Sequence, residues 1–205
     1  DAGWHEARVA INVSAQQVLS GDFPGDIERL LARHGLPPDA LELELTENML
    51  QTGVITVETL RTLRLLGVAT ALDDFGTGYS SLTSLERLPL SRVKLDRGVL
   101  AEVDSNPRAA SIARSMIGLC QGLGLQVTAE GVERATQLDF LANSGDVSVQ
   151  GYLVARPMDA DGILEAVGRM EPRMRVLLEA GERGRTDASL YDPDGTVIPL
   201  RRRPR

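Results

Sequence analysis

The chain has 205 residues, room for one large domain or two small ones, and its 42% hydrophobic and 25% charged residues exclude disorder, collagen and low complexity. Its 22 Lys and Arg against 29 Asp and Glu leave a formal charge of −7, which argues against DNA or RNA polymer binding, since that needs a concentrated basic face. The charge is unevenly spread: residues 1–168 carry 13 basic and 23 acidic side chains and residues 169–205 carry 9 and 6, an acidic body followed by a basic end.

Short β-branched or leucine-rich runs alternate with longer helical stretches, a rhythm that predicts βαβ units on a parallel sheet. Six strands are expected, at 9–13, 41–46, 68–73, 92–95, 125–129 and 147–150. Helical spacing falls between them at 26–34, 54–66, 80–85, 107–123 and 135–142, with a closing helix at 161–167. Asn106-Pro107 reads as an N-cap followed by a first-turn proline, and Gly67 and Gly124 stand where a helix gives way to a strand. After Pro157 the strand pattern stops. Residues 170–180 read as one more amphipathic helix, 191–195 as turn chemistry, and 201–205 as a solvated basic tail. Two regions result, a barrel-like body at 1–168 and an extension at 169–205, helix then basic tail.

One cysteine, Cys120, excludes an intrachain disulfide, and no Cys/His spacing suits zinc. No apolar run is long enough to span a bilayer, and the first residues lack a leader pattern. A cytoplasmic, reducing compartment fits, with any membrane anchor lying in upstream segments of a parent protein. The chain starts at Asp1 and enters a strand pattern almost at once, which reads as a cut from something longer.

The strand ends carry the chemistry: Asn12, Glu44, Asp73 with Asp74, Lys94 with Asp96, Glu130 and Gln150. One such residue alone reads as a solvated terminus. All six strands finishing this way point to a shared face, because parallel strands bring their C-terminal ends together. Alternation puts Leu41, Leu43 and Leu45 on one side of a strand and Glu42 and Glu44 on the other, so leucines against helices leave the glutamates facing inward. Carboxylates gathered there would repel one another unless a divalent cation sat among them, and all-oxygen ligands suit Mg²⁺ or Mn²⁺. Two such ions about 3.5–4 Å apart would bracket the attacking and leaving oxygens of an in-line phosphoryl displacement. Lys94 would either offset phosphate charge at that rim or form a buried ion pair with Asp96 or a neighbouring acid.

Asn12 in INVSAQQ, Glu44 and Glu47 in LELTE, the run DDFGTGYSSL from Asp73, VKLD from Val93, TAEGVE from Thr128 and VQGY with the following RPM together resemble the EAL domain family of cyclic di-GMP phosphodiesterases. The likeness covers roughly residues 9–167, and the ordered set of six motifs is highly specific. It implies an α/β fold, a TIM-like (β/α)8 barrel with one antiparallel strand, that linearises cyclic di-GMP to pGpG with two Mg²⁺ or Mn²⁺ ions in bacterial signalling and biofilm control. It also implies metal ligands at Asn12, Glu44, Asp73 and Asp74, and a metal and water role for Glu130 as base or ligand. Lys94 matches the lysine that contacts the attacking water and the scissile phosphate, with Asp96 beside it, and Gln150 a supporting hydrogen-bonding residue. Glu47 matches the acid that holds the loop containing Gly76 and Gly78, a loop that links metal binding to homodimer formation in the family, and Glu133 is the second acid of AEGVE.

The motif that names the family is absent: the Glu-Ala pairs at Glu6, Glu165 and Glu179 continue with Arg, Val and Gly. That motif belongs upstream of the INVS strand, so about six of eight strands are expected here and the barrel should be incomplete. Gly98-Val99 and Asp146-Val147-Ser148 also depart from the usual pattern without touching a ligand. The leading reading is a cyclic di-GMP phosphodiesterase domain downstream of sensory or GGDEF modules, weakly active or inactive as this fragment. The alternative is a non-catalytic receptor for cyclic di-GMP or for a protein partner.

Overall fold

A computed structural model describes residues 8–19, 21–78, 82–163 and 166. Six strands form one sheet in the order β1-β2-β3-β4-β5-β6, every neighbouring pair parallel. They are β1 Val9–Asn12, β2 Leu41–Thr46, β3 Ala69–Phe75, β4 Arg92–Leu95, β5 Gln126–Ala129 and β6 Val147–Val149. The helices are α1 Ala15–Leu19, α2 Phe23–His34, α3 Glu47–Gln51, α4 Val57–Leu66, α5 Leu82–Arg87, α6 Arg97–Leu100, α7 Pro107–Gly122 and α8 Ala135–Ala142. Sequential parallel neighbours with helical crossovers are the signature of a TIM-like barrel, of which the described residues form six strands.

Local chemistry sets the punctuation. Asp22 caps α2 by accepting from the Gly25 N–H, Thr56 caps α4 through the Thr59 N–H, and Asn106 caps α7 through those of Arg108 and Ala109. Gly35 and Gly67 close α2 and α4 in the left-handed conformation, at φ 63° and 89°. The expected helix at 54–66 begins only at Val57, because Thr56 supplies the cap. Three short helices, α1, α3 and α6, were not signalled; at four or five residues each they are too brief for a periodicity to show. The closing helix is seen from Ala160 to Ile163 and at Ala166. The rest of it and the extension at 169–205 lie outside the described residues.

The outward faces of the strands meet the helices. Leu43, Leu45, Leu72, Val93, Leu95, Val127 and Ala129 pack with Leu60, Leu63, Ala113, Ile117, Cys120 and Leu141 in one continuous core. The opposite faces of the same strands are therefore the concave side, and there they carry Glu42, Glu44, Arg92, Lys94 and Thr128, all buried except the half-buried Arg92. Arg92 on β4 reaches Glu42 on β2 and Ser148 on β6, a span that only a curled sheet permits. The β1 edge is open: Val9 and Ile11 are 63% and 42% exposed, in a strand whose residues are all exposed. No helix among the described residues is long and apolar enough to cross a membrane.

Candidate functional site

The backbone ladder runs one residue past several strand ends, which fixes the terminal side chains. Val13 donates to Glu44 O, Asp96 to Phe75 O, Glu130 to Leu95 O and Gln150 to Ala129 O. Asn12, Glu44, Lys94, Glu130 and Gln150 are thereby set on one rim, Asn12 opposite Glu44 in the β1–β2 register.

Asp73 and Asp74 required more than alternation, since adjacent strand residues point to opposite faces. Pairing of β3 with β4 shifts between Leu72 and Phe75, and Asp74 takes φ 56° in the left-handed region, the only non-glycine residue to do so among those described. This bulge turns both carboxylates to the same side. Oxygens of Asp73, Asp74 and Glu130 lie within 4.8 Å of one another.

At the centre stands Lys94, 4% exposed. Its Nζ lies 2.8 Å from Glu44 Oε1, 2.7 Å from Glu130 Oε1 and 3.2 Å from Asp73 Oδ1. Burial draws the ammonium down, but hydrogen bonds to Glu130 and Glu44 outweigh it and hold Lys94 above the usual lysine range. Burial raises the Glu130 carboxyl; Lys94 opposes that rise, while Asp73 and Glu44 add to it. Asp73 Oδ1 is buried and accepts no hydrogen bond, with the Lys94 ammonium beside it only as an ion-pair partner. A buried carboxylate oxygen left in this state, within a set of hard oxygen donors, fits a divalent cation of the Mg²⁺ or Mn²⁺ kind.

The other expected residues fall around this centre. Asp96 is not among the acids within ion-pair distance of Lys94; its Oδ1 accepts from the Gly98 N–H at 2.7 Å and caps α6. Glu47 accepts from Gln51, and its Oε2 would lie 3.3 Å from a Cβ placed on Gly78. Gly76 has φ +105°, and a Cβ there would meet Val99 at 2.5 Å. Glu133 is exposed and contributes its backbone N–H to Gln137. Gln150 is exposed beyond β6, and the following Gly151 comes so close to the Val132 backbone that a Cβ would sit 2.3 Å from its N and O. Arg92, which no motif singles out, stands two residues before Lys94 on the same strand face and binds the inward Glu42 at 3.0 Å. A plain signal also marks its neighbour: Lys94 is the only lysine in the chain.

The profile of the EAL domain matches residues 2–157. The cyclic di-GMP phosphodiesterase NbdA of Pseudomonas aeruginosa is 42% identical over 158 residues, 77% of this chain and 20% of that protein. The bifunctional diguanylate cyclase/cyclic di-GMP phosphodiesterase MucR of the same organism is 39% identical over 168 residues, 82% of this chain and 24% of that protein. The MucR phosphodiesterase in complex with cyclic di-GMP superposes with a TM-score of 0.73 at 38% identity, covering 80% of this chain and 66% of that one. Klebsiella pneumoniae BlrP1, solved with manganese and cyclic di-GMP, gives a TM-score of 0.67 at 32% identity over 76% of this chain and 40% of that one. BlrP1 was also solved with calcium and cyclic di-GMP. The chain thus spans about a fifth to a quarter of the length of these curated relatives.

Proposed function

The chain belongs to the EAL domain family, and on that premise we propose that its rim is the larger part of a site that hydrolyses cyclic di-GMP to pGpG. The observation that carries this reading is the gathering of Glu44, Asp73, Asp74 and Glu130 around one buried lysine, with Asp73 Oδ1 left without a hydrogen bond. Asp73, Asp74 and Glu130 would hold a divalent ion, with Glu44 and Asn12 completing the ligand set. A pair of such ions, Mg²⁺ or Mn²⁺, supplies Lewis-acid activation of water and neutralises phosphate charge. Where Glu130 is not itself a ligand, its carboxylate accepts the proton of the attacking water. Lys94, above the ordinary lysine range, stays cationic and faces the phosphate. Asp96 acts at one remove, through the cap that fixes α6 next to β4. Glu47, Gly76 and Gly78 shape the loop after β3, Gln150 and Glu133 border the rim, and homodimer formation through that loop and control by upstream GGDEF or sensory domains belong to the same proposal.

Metal-dependent release of pGpG tests it, measured once a strand bearing the Glu-Ala-Leu segment is joined ahead of β1. The 205-residue chain alone should turn over weakly or not at all. Glu44→Gln should abolish turnover in the completed protein, and unchanged turnover refutes the assignment. The competing reading is a receptor that binds cyclic di-GMP without cleaving it. Calorimetry that finds tight cyclic di-GMP binding by the completed protein with no product would select it.

A further inference from the structure

Of 22 basic side chains, Lys94 is the single lysine, and it occupies the most acidic spot among the described residues. Two residues earlier on the same strand face the chain uses an arginine, Arg92, whose planar fork binds one carboxylate and three neutral acceptors. The difference is physical. A guanidinium is a fixed fork, whereas an ammonium is a compact point charge with three rotatable donors on a flexible stem. Such a group can sit between three carboxylates converging from β2, β3 and β5, and it can also withdraw.

Four carboxylates share the rim with one ammonium. Acids this close push one another apart or take up protons unless a cation lies among them. We infer that Lys94 is a tethered stand-in for the divalent ion: it holds Glu44, Asp73 and Glu130 in their ligand positions before an ion arrives, and yields its carboxylate contacts when one does. Asp73 Oδ1, close to the ammonium yet without a hydrogen bond from it, is the oxygen first offered. The inference rests on the proposed metal site and adds a positioning role that precedes substrate. It carries a distinctive consequence. A residue that merely scaffolds ligands weakens metal binding when removed, whereas a competing cation strengthens it.

The test uses the protein completed by a lysine-free strand bearing the Glu-Ala-Leu segment ahead of β1, with MnCl₂ titrated calorimetrically at about pH 8, where released carboxyls are ionised. Lys94→Met should bind Mn²⁺ tighter by about tenfold or more, because a positive charge a few ångströms from the ion has gone. In EDTA its melting temperature should fall below that of the unaltered protein, and Mn²⁺ should narrow the gap. A second measurement needs no variant: with ¹⁵Nζ-lysine labelling a single ammonium signal reports Lys94. It should exchange its hydrogens slowly in EDTA and faster with saturating Mg²⁺. An ammonium signal unmoved by Mg²⁺, or a Lys94→Met affinity equal to or weaker than the original, overturns the inference and leaves the metal site standing. Absence of Mn²⁺ binding by both proteins overturns the metal site and the inference together.

Discussion

The concave face of the sheet holds two charged layers one strand step apart, and they solve opposite problems. In the lower, Arg92 donates to Glu42 at 3.0 Å, Thr128 at 2.9 Å, Ser148 at 3.3 Å and Gln126 at 2.7 Å, while Arg8 approaches Glu42 from the open edge at 3.4 Å. Every strong partner there is satisfied, and its one carboxylate is outnumbered by two guanidiniums. In the upper, one ammonium faces four acids and a buried carboxylate oxygen goes without a hydrogen bond. The same strands, β2, β4 and β5, supply both layers, so topology does not separate them. What separates them is whether the set of donors and acceptors is complete, and an incomplete set at the C-terminal ends of parallel strands is where chemistry is placed.

The largest effect should come from breaking the complete layer. Arg92→Met leaves the buried Glu42 without its main partner and should cost about 3–5 kcal/mol in urea unfolding, while the affinity of the folded protein for Mn²⁺ stays within a factor of about two. A variant that keeps its stability would show that the lower layer is not the structural one. The upper layer should respond the other way round. Asp73→Asn removes the charge of the carboxylate that lacks a hydrogen bond, and should lower Mn²⁺ affinity by more than about 100-fold with little change in unfolding midpoint. Asp74→Asn sharpens the contrast further. Asparagine tolerates the left-handed φ of 56°, so the bulge survives while one repelling charge disappears. We expect a gain of about 0.5 kcal/mol in EDTA together with roughly tenfold weaker Mn²⁺ binding, the exchange of stability for function seen at charge-crowded sites.

The lower layer and the upper were unequally legible. Alternation of Leu41, Leu43 and Leu45 with Glu42 and Glu44 announced both the core face and the inward acids, because a period of two belongs to strands alone. All six strands were found within two residues, since their apolar runs are bounded by cap and glycine signals. The Asp73–Asp74 bulge had no such signal; both acids are expected at the shared face, yet alternation would send adjacent residues to opposite sides, and only the register shift against β4 shows how both turn inward. Asp96 lies just beyond Leu95, the last residue of β4, where strand alternation no longer states its direction, and its Oδ1 accepts from the Gly98 N–H to cap α6. Long-range facts such as Arg92 meeting Ser148, 56 residues away, depend on curvature, which no local pattern states.

The smallest expected effect is one of sign, and it extends the contrast to an outer clasp. Asp104 is held by Arg134 at 2.8 and 3.0 Å and by Thr136, which bring its carboxyl down to about 2. A depressed carboxyl contributes stability that is present above its unfolded value of about 3.9 and is lost as pH falls toward the folded one, worth about 1 kcal/mol for a group this open to solvent. Glu130 runs against it. Burial raises its carboxyl, so its contribution is fully present below the unfolded value near about 4.3 and is lost as pH rises through the raised folded value. In EDTA, mild acidification should therefore ease the upper layer before stronger acid opens the clasp. Glu130→Gln should remove the first change and leave the second, and Asp104→Asn should do the reverse, both read from urea midpoints across the acid range. A Glu130→Gln protein that keeps the gain on mild acidification would mean that the strain of the rim lies elsewhere than in its crowded acids.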